Sequence, residues 1–266
     1  MTCNQGITRH AIACMATVAI SCMASGANAT EPQNWQGLYG GLAIGGLHGA
    51  SDLDSEANRS DYFSSQSDVD QLRPGLQKKI DGFSATGSGL LGYDYRHGNM
   101  LYGIEADLTL MNYSQTSNAG PVTFTSSPTV DFSTHTTIKT NFAFGVRPKI
   151  GYVFDNWMIH AAAGPSIGQF KYDFRYVDTN DSGQANSFEE TNWALGVSSN
   201  IGASYNLGDG WSLRGDYVFS YYPEIINENQ DFERFADLAA ASFAGSFRHK
   251  ADFQSHNVRF GLIRQF

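Results

Sequence analysis

Residues 89–110 read GLLGYDYRHGNMLYGIEADLTL, and they contain the pattern from which the fold can be inferred. Its second half alternates between two faces, one carrying Tyr102, Ile104, Ala106, Leu108 and Leu110 and the other Gly103, Glu105, Asp107 and Thr109. A period of two is typical of a β-strand with one apolar and one polar face. His97-Gly98-Asn99 separates this strand from another predicted strand. The whole stretch therefore predicts a β-hairpin with a tight turn.

The period-two pattern recurs along the chain, and helical periodicity is nearly absent. Eight segments show it, at about 36–47, 82–96, 100–113, 138–154, 157–172, 190–207, 211–222 and 253–266. Each segment is long enough to cross a bilayer as a tilted strand, which takes about 9–11 residues. Because an open sheet edge in lipid leaves backbone groups unpaired, we expect the eight strands to close into a barrel.

The connections between these segments alternate strictly between short and long. The short ones are His97-Gly98-Asn99, Asp155-Asn156 and Gly208-Asp209-Gly210. All other connections are long and polar, so every short turn falls at the same end of the barrel. Transmembrane barrels have this asymmetry, with short periplasmic turns and longer outer loops. The sequence predicts an all-β protein: an eight-stranded antiparallel transmembrane β-barrel with short periplasmic turns and long extracellular loops.

Residues 1–29 have the pattern of an export signal. Arg9 precedes a stretch of mostly small and apolar residues, and Ala27-Asn28-Ala29 fits a small-x-small cleavage site. We therefore predict a signal peptide at 1–29 and a barrel domain at 30–266. A lipoprotein signal ending at Cys22 is the alternative interpretation. All three cysteines lie before residue 30, which excludes disulfides and thiolate metal sites from the barrel.

Charge excludes one class of partner. Residues 30–266 carry 16 basic and 26 acidic side chains, because the first 29 hold one arginine and no acid. An acidic chain of this kind does not predict nucleic-acid binding, which needs a basic surface. No cofactor is predicted.

Aromatic residues concentrate at the two ends of the predicted strands. Near the short turns lie Tyr93, Tyr95, Tyr102, Tyr152, Phe154, Trp157, Tyr205, Trp211 and Phe266. Near the long loops lie Phe83, Tyr113, Phe142, Trp193, Phe219, Tyr221 and Phe253. Two aromatic girdles at the two membrane interfaces are expected of such a barrel.

Several stretches resemble small outer-membrane β-barrels of the opacity and porin-like (OmpA-type) family of Gram-negative bacteria. They are WQGLYGG at 35–41, GLLGYDY at 89–95 with YGIEAD at 102–107, VRPKIGY at 146–152 and HNVRFGL at 256–262. The resemblance implies location in the outer membrane, contact with its lipid and lipopolysaccharide, and a surface or porin-like role. It also implies insertion by the barrel-assembly machinery, with Gly261, Leu262 and Phe266 as the insertion signal.

Two residues depart from the family pattern. Arg264 stands where the terminal signal usually has an aromatic residue, and we expect it near the membrane interface. Pro148 stands where glycine is usual. Because proline cannot donate to the ladder, we expect a local bulge or irregularity there.

The inward faces carry charges at similar heights. Glu105 and Asp107 lie on the third predicted strand, and Arg147 and Lys149 on the fourth. Arg214, Asp216 and Arg259 form a second group on the last two strands. Because buried charges need partners, we predict a lumenal salt-bridge network. A polar filling of a narrow barrel is favoured over a gate, since eight strands leave little room for a channel.

Three motifs that suggest other chemistry are better explained by the barrel. Gly87–Gly92 fits G-x-G-x-x-G, but no helix follows it. Asp52–Glu56 begins like a calcium loop, but Ala57 stands where glycine is required. His160 and Ser166 share an inward face, but about 20 Å separates residues six apart on a strand. The sequence therefore does not predict an enzyme.

The long loops leave a surface function open. Phe232, Phe235, Leu238 and Phe243 are apolar residues of the last loop that would pack over the barrel mouth or contact a partner. His48, Tyr62, His135 and His249 are the available haemin-ligand types. The favoured function is a non-enzymatic barrel with an envelope-structural or surface role. The alternatives are a narrow-pore porin and a loop-based receptor or adhesin, with haemin as one candidate ligand.

Overall fold

The computed structural model describes residues 35–179, 185–236 and 241–266, without the side chains of 235, 236 and 241. The predicted signal peptide lies outside the described residues. The elements in chain order are β1 (Gly37–Asp52), β2 (Glu56–Asn58), α1 (Gln66–Leu76), β3 (Lys79–His97), β4 (Met100–Thr123), β5 (Asp131–Phe154), β6 (Trp157–Asp178), β7 (Ala185–Gly208), β8 (Trp211–Ala236) and β9 (Ala241–Gln265). Among these residues, no helix is both long and apolar enough to span a bilayer.

Eight of the strands form a closed antiparallel ring. Neighbours follow chain order from β1 and β3 to β9, and β9 returns to β1, with Tyr39 opposite Gln265 and Ala50 opposite Gln254. The short connections lie where the sequence placed them. Two of them contain non-glycine residues with positive φ, Asp155 at 48° and Asp209 at 51°, a conformation that Asp tolerates in tight turns. The predicted all-β, eight-stranded barrel is confirmed.

The strands are longer at the long-loop end than the sequence predicted. The loop expected between about 114 and 137 shrinks to the segment between Thr123 and Asp131, and that expected at about 223–252 shrinks to the tip between β8 and β9. Among the connections whose residues are all described, the first, between β1 and β3, stays long, and it contains α1 and β2. The prediction was wrong because it stopped each strand where the outward face became polar.

The two halves of the barrel differ in which face of the strands carries the apolar side chains. In the half towards the short turns, apolar side chains such as Leu42, Ile104 and Ile201 point outwards, and the inward side chains include the charged residues Glu105 and Arg147. Towards the loops, Ile138 and Phe170 point inwards and are buried, whereas Lys139 and Lys171 point outwards. The first arrangement suits lipid outside and the second suits water outside.

Bulges lie at the height where polarity reverses. The register shifts between Leu110 and Tyr113 on β4, between Thr140 and Ala143 on β5, and between Tyr222 and Ile226 on β8. A bulge adds unpaired residues to one strand and bends it. On β5 the shift also changes which residues face inwards, from odd numbers such as Arg147 to even numbers such as Ile138.

Above the bulges the wall divides into two sheets. β7 pairs with β8 only between Val197–Tyr221 and Gly208–Trp211, and β3 pairs with β4 only from Thr86–Met111 downwards. One sheet therefore consists of the upper parts of β4 to β7, and the other of β8, β9, β2, β1 and β3. Their apolar faces share one core with α1 and the first loop, which includes Phe63, Leu72, Ile138, Tyr176 and Phe247.

Two girdle assignments were wrong, whereas the bulge or irregularity expected at Pro148 is present as an irregularity. Tyr113 and Phe253 are buried in this core, 1% and 2% exposed, and not lipid-facing. Phe253 lies an even number of residues from Arg259, so both face inwards on β9. At Pro148 the paired residues of β5 and β6 skip from Gly145 to Lys149 without a register shift. The ladder is interrupted there, as expected, but no bulge forms.

Candidate functional site

The lumen holds every predicted network residue in one cluster. Glu105 and Asp107 come from β4, Arg147 and Lys149 from β5, Arg214 and Asp216 from β8 and Arg259 from β9, each no more than 5% exposed. Period-two strands supply them, because every second side chain of each strand enters the barrel. The sequence had suggested two groups, whereas the structure joins them.

Glu105 is the centre of the cluster. Its carboxylate accepts two hydrogen bonds from Arg214, at 2.5 and 3.1 Å, and one from the Tyr39 hydroxyl at 2.7 Å. An Arg147 nitrogen lies 3.6 Å away. β4 and β8 are separated by three strands on either side of the ring, so the Glu105–Arg214 pair crosses the lumen. These side chains therefore occupy the lumen at this height.

Two aspartates complete the bridge. Asp107 binds Arg147, the Arg259 guanidinium at 2.9 Å and the Thr109 hydroxyl at 3.1 Å. Asp216 lies 2.9 Å from Arg214 and 3.2 Å from Arg259. Each carboxylate thus contacts more than one cation. Such a network satisfies charges that would otherwise be costly to bury.

Three lumenal residues were missing from the predicted network. The Lys149 ammonium donates to Asp94 at 2.6 Å and to the Tyr39 hydroxyl at 2.9 Å. His160 Nε2 lies 3.0 Å from Asp216. Asp94 alternates with the outward Tyr93 and Tyr95, so its inward position could have been predicted from the sequence. His160 was predicted to face inwards, but without a partner. Tyr39 carried no signal beyond its period-two position on β1.

The charges of this cluster balance. It contains four carboxylates, Asp94, Glu105, Asp107 and Asp216, and four cations, Arg147, Lys149, Arg214 and Arg259. Across the part of the chain that the structure describes, no three His, Cys, Asp or Glu side chains group as metal ligands would. The four carboxylates and four cations are equal in number and neutralise one another.

Apolar packing fills the lumen on both sides of the charges. Trp35, Leu101, Val153 and Met158 form a buried cluster near the short turns. On the other side a cavity of about 30 Å³ lies between the network and the large upper core.

A polar contact lies inside the upper core. His249 is fully buried, with Nδ1 3.1 Å from the Tyr172 hydroxyl and Nε2 3.1 Å from the Gln230 side-chain oxygen. Its ring stacks on Phe188 at 4.8 Å. Burial lowers the pKa of His249 to about 4 and raises the pKa of Tyr172 to about 12. These residues tie both upper sheets together.

The haemin-ligand candidates do not converge. His48 pairs with Asp81 at 3.3 Å, and His135 bonds Asn118 at 2.7 Å. Tyr62 donates to Asp178, which also holds Arg234 at 2.8 Å. His249 is enclosed in the core. Each candidate is therefore engaged within its own part of the fold.

The apolar residues predicted for the last loop lie in different surroundings. Phe232 packs against the core, 5.4 Å from the Tyr62 ring and 5.5 Å from the Phe247 ring. Phe243 lines a cleft with Phe124 and Val130. The side chain of Phe235 and the whole of Leu238 lie outside the described residues.

The rejected motifs occupy ordinary positions. Gly87–Gly92 lies on β3, and Asp52 and Leu53 end the β1 region. Ser166 bonds the Tyr222 hydroxyl at 2.7 Å, whereas His160 bonds Asp216. Ser166 and His160 are therefore not arranged as nucleophile and base.

Comparison with known proteins identifies the family. The model of the outer membrane protein beta-barrel domain matches residues 15–260. The chain belongs to this outer-membrane β-barrel family. The short turns of this family member are thus periplasmic, and the opposite end of the barrel faces outwards. No curated protein matches the sequence.

The solved structures to which this chain is similar are distant in sequence. Neisserial surface protein A is 11% identical, with 86% of this chain and 97% of that chain covered and a TM-score of 0.35. The attachment invasion locus protein Ail of Yersinia pestis is 13% identical, with 82% and 99% covered and a TM-score of 0.29. The outer membrane protease OmpT from Escherichia coli is 8% identical, with 90% and 99% covered and a TM-score of 0.41. Likenesses of this size say nothing about ligand or activity.

The last strand of this outer-membrane barrel has the expected outward residues. Leu262 and Phe266 are exposed on the lipid side, Phe266 by 73%, whereas Gly261 lies against β1. The Phe266 amide donates to the Leu38 carbonyl at 2.8 Å. Arg264 stacks on the Trp211 ring, 5.1 Å from its centroid. This stacking places the guanidinium at the periplasmic girdle, where a charge is tolerated.

Proposed function

We propose that this protein is a non-enzymatic, non-conducting outer-membrane barrel with an envelope-structural and surface role. The Glu105–Arg214 bridge across the lumen carries the proposal. Apolar clusters above and below it add two further layers of filling. A route for solutes would have to displace all three.

Single-channel recording in a planar bilayer tests the closed lumen. We expect no steady conductance from the purified protein or from the paired variant Glu105→Ala/Arg214→Ala, because the apolar layers remain. The paired variant removes one acid and one base and so keeps the charge balance. Reproducible current steps from the unmodified protein would establish a pore. Steps only in the variant would assign the network as a gate.

Cysteine labelling tests surface exposure. The chain has no cysteine after residue 29, so a single introduced thiol is a clean probe. Ser127→Cys lies between β4 and β5 on the outer side, and Asn156→Cys lies in a periplasmic turn. An impermeant maleimide should label the first in intact cells and the second only after permeabilisation. The reverse pattern would refute the orientation.

A receptor or adhesin role is the second candidate. It is favoured by the folded end above the bilayer, where two sheets, α1 and β2 present an ordered surface. Binding residues occur preferentially on such outer segments. The candidate makes a distinct prediction: shortening the β4–β5 hairpin above the bulges would abolish surface binding and leave barrel assembly unchanged.

Assembly is part of the proposal. Insertion through the last strand would use the lipid-facing Leu262 and Phe266, and Gly261 allows close packing on β1. A Cβ at Gly261 would lie 2.7 Å from the Leu42 carbonyl oxygen. The barrel-assembly machinery and outer-leaflet lipopolysaccharide are the partners we propose for this process and for the inserted state.

A further inference from the structure

The wall above the bilayer has a seam between β7 and β8. β7 pairs with β6 from Ala185 to Tyr205, but its pairing with β8 ends at Val197. Residues 187–195 therefore pair with β6 on one edge and with no strand on the other. A free edge of this length presents a row of backbone donors and acceptors to any strand that can reach it.

Pro223 accounts for the seam. It lies just beyond Tyr221, the last residue of β8 that pairs with β7. It also begins a three-residue segment, 223–225, that lies opposite a single residue of β9, which produces the register shift between Tyr222 and Ile226. A proline cannot donate to a ladder, and a bulge bends its strand. Beyond Pro223, β8 therefore remains paired with β9 but is no longer paired with β7.

The other seam is closed. Between β3 and β4 the Gln115 side chain packs so tightly on Gly82 that a Cβ there would overlap it. The Asn112 amide donates to the Ser84 hydroxyl at 3.2 Å. Among the described residues, the β7 edge is thus the more accessible of the two.

The β7 edge is oriented towards the seam. The Gln230 side-chain amide donates to the Ser187 backbone carbonyl at 3.3 Å, taking the position that a neighbouring strand's amide would have. Backbone groups of alternate residues point to the same side of a strand. Ser187, Glu189, Thr191, Trp193 and Leu195 therefore direct their backbone groups to the seam.

The seam is acidic. Glu190 pairs in register with the inward Tyr172, and Glu228 pairs with the inward His249, so both side chains start from the inner face of their strands. Glu190 is half-buried and Glu228 is exposed, so both are accessible to a ligand. Neither has an ion-pair partner among the described residues. Glu189, on the outer face, lies 2.6 Å from Lys171. Residues 187–195 contain two acids and no base.

We propose that the β7 edge is a docking site for an extended, basic segment of another polypeptide, which pairs with it as an added strand. The backbone supplies the hydrogen bonds, as in other cases of strand addition. Glu190 and Glu228 select cationic side chains. A second copy of this chain is disfavoured as occupant because edge-to-edge pairing would bring the glutamates of both copies together. The site rests on the proposed surface exposure of this end.

Peptide binding to the purified barrel in lipid nanodiscs tests the site. The probe is a fluorescent nine-residue peptide that alternates lysine with valine and threonine. Its two controls are the same peptide with alternate amides N-methylated and a peptide with glutamate in place of lysine. We expect fluorescence anisotropy to report saturable binding of the first peptide alone. Failure of that peptide to bind, or equal binding of the N-methylated one, would overturn the proposal.

Two sets of variants distinguish the contribution of backbone hydrogen bonds to peptide binding from the contribution of the glutamate charges. Thr191→Pro removes an amide that points to the seam, and Thr191→Val keeps it. We expect the proline variant to lose binding and the valine variant to retain it. Glu190→Gln/Glu228→Gln should weaken binding by about tenfold at low salt. An unchanged affinity in the glutamine variant would overturn the basic partner.

Folding and self-association are checked in the same preparations. Heat-modifiable electrophoresis reports whether each variant is folded, and the N-methylated peptide decides the question if Thr191→Pro does not fold. Sedimentation that showed a dimer lost on Thr191→Pro would assign the edge to a second copy and overturn the proposal. Because binding is measured on purified protein, its failure is distinguishable from a failure of surface exposure in cells.

Discussion

Arg214 binds Glu105 through two hydrogen bonds, at 2.5 and 3.1 Å, although the two residues are 109 positions apart in the chain. The pair joins β8 to β4 across the ring. A bidentate arginine–carboxylate contact is among the stronger polar interactions in proteins. It therefore ties two strands from opposite sides of the ring to each other inside the lumen.

Removal of the Glu105 charge should destabilise the barrel. Glu105→Gln leaves Arg214 without its bidentate partner in a buried site, and we expect a loss of about 3–5 kcal/mol. Urea unfolding in lipid vesicles measures the change. Glu189→Gln is the matched control, because its ion pair with Lys171 is exposed and should contribute less than about 1 kcal/mol. Equal effects of both variants would contradict the central role of Glu105.

Removal of both partners should cost less than the sum of the single changes. Glu105→Gln combined with Arg214→Met eliminates the uncompensated charge, and buried ion pairs can be replaced by apolar groups at small cost. A double-mutant cycle gives the coupling energy. Strict additivity would mean that the two side chains do not act as a pair.

Acidification should weaken the upper half through His249. An unfolded histidine binds a proton below a pH of about 6.5, whereas in the folded protein its pKa is lowered to about 4. Between pH 6.5 and pH 4, about the two pKa values, His249 therefore binds a proton in the unfolded chain but not in the folded protein. Protonation then favours the unfolded chain, so the free energy of unfolding falls as the pH is lowered through this range. The loss is about 3 kcal/mol at most. Urea unfolding at pH 7 and pH 4.5, compared with His249→Gln, isolates this residue, and an identical pH dependence in both proteins would refute it.

Gly164 should not tolerate a side chain. A Cβ at Gly164 would overlap the Val146 carbonyl oxygen, where β5 and β6 approach beside Pro148. We expect Gly164→Ala to reduce stability by about 1–3 kcal/mol. Gly87→Ala is the control, because a Cβ there meets nothing within 4 Å. The unfolding midpoints of the two variants measure the difference, and a stable Gly164→Ala would mean that the strands can move apart.

The terminal aromatic residue should affect assembly more than stability. Phe266→Ala is expected to slow insertion into vesicles that contain the barrel-assembly machinery, because the proposed signal ends on this side chain. Phe260→Ala removes another lipid-facing aromatic from the same strand, 63% exposed. The rate at which heat-modifiable protein accumulates compares them. Equal rates would separate Phe266 from the insertion signal.

The lower barrel was predictable because its period-two pattern is local. Alternation placed Glu105, Asp107, Arg147 and Lys149 inside correctly, and no long-range information was needed. Their partners were less predictable. Asp94 meets Lys149 from a strand that is not adjacent, and ring closure sets that distance.

The upper barrel was missed for physical reasons. Its strands alternate with reversed polarity, so Ile138 and Tyr172 were not recognised as inward residues of continuing strands. Bulges shift the register without a clear sequence signal, as at Thr140–Ala143. The seam depends on Pro223, whose effect is visible only once the neighbours of β8 are known.

The reversal of polarity at the bulges divides one set of strands between two solvents. Below them lipid must be present for the outward face to be stable, whereas above them the two sheets bury their own core as a water-soluble domain does. Denaturants and detergents should therefore act on the two halves separately. Amide exchange on one continuous strand, β5, should be faster in 131–140 than in 145–154 when urea is added, so a single strand would report two cooperative units.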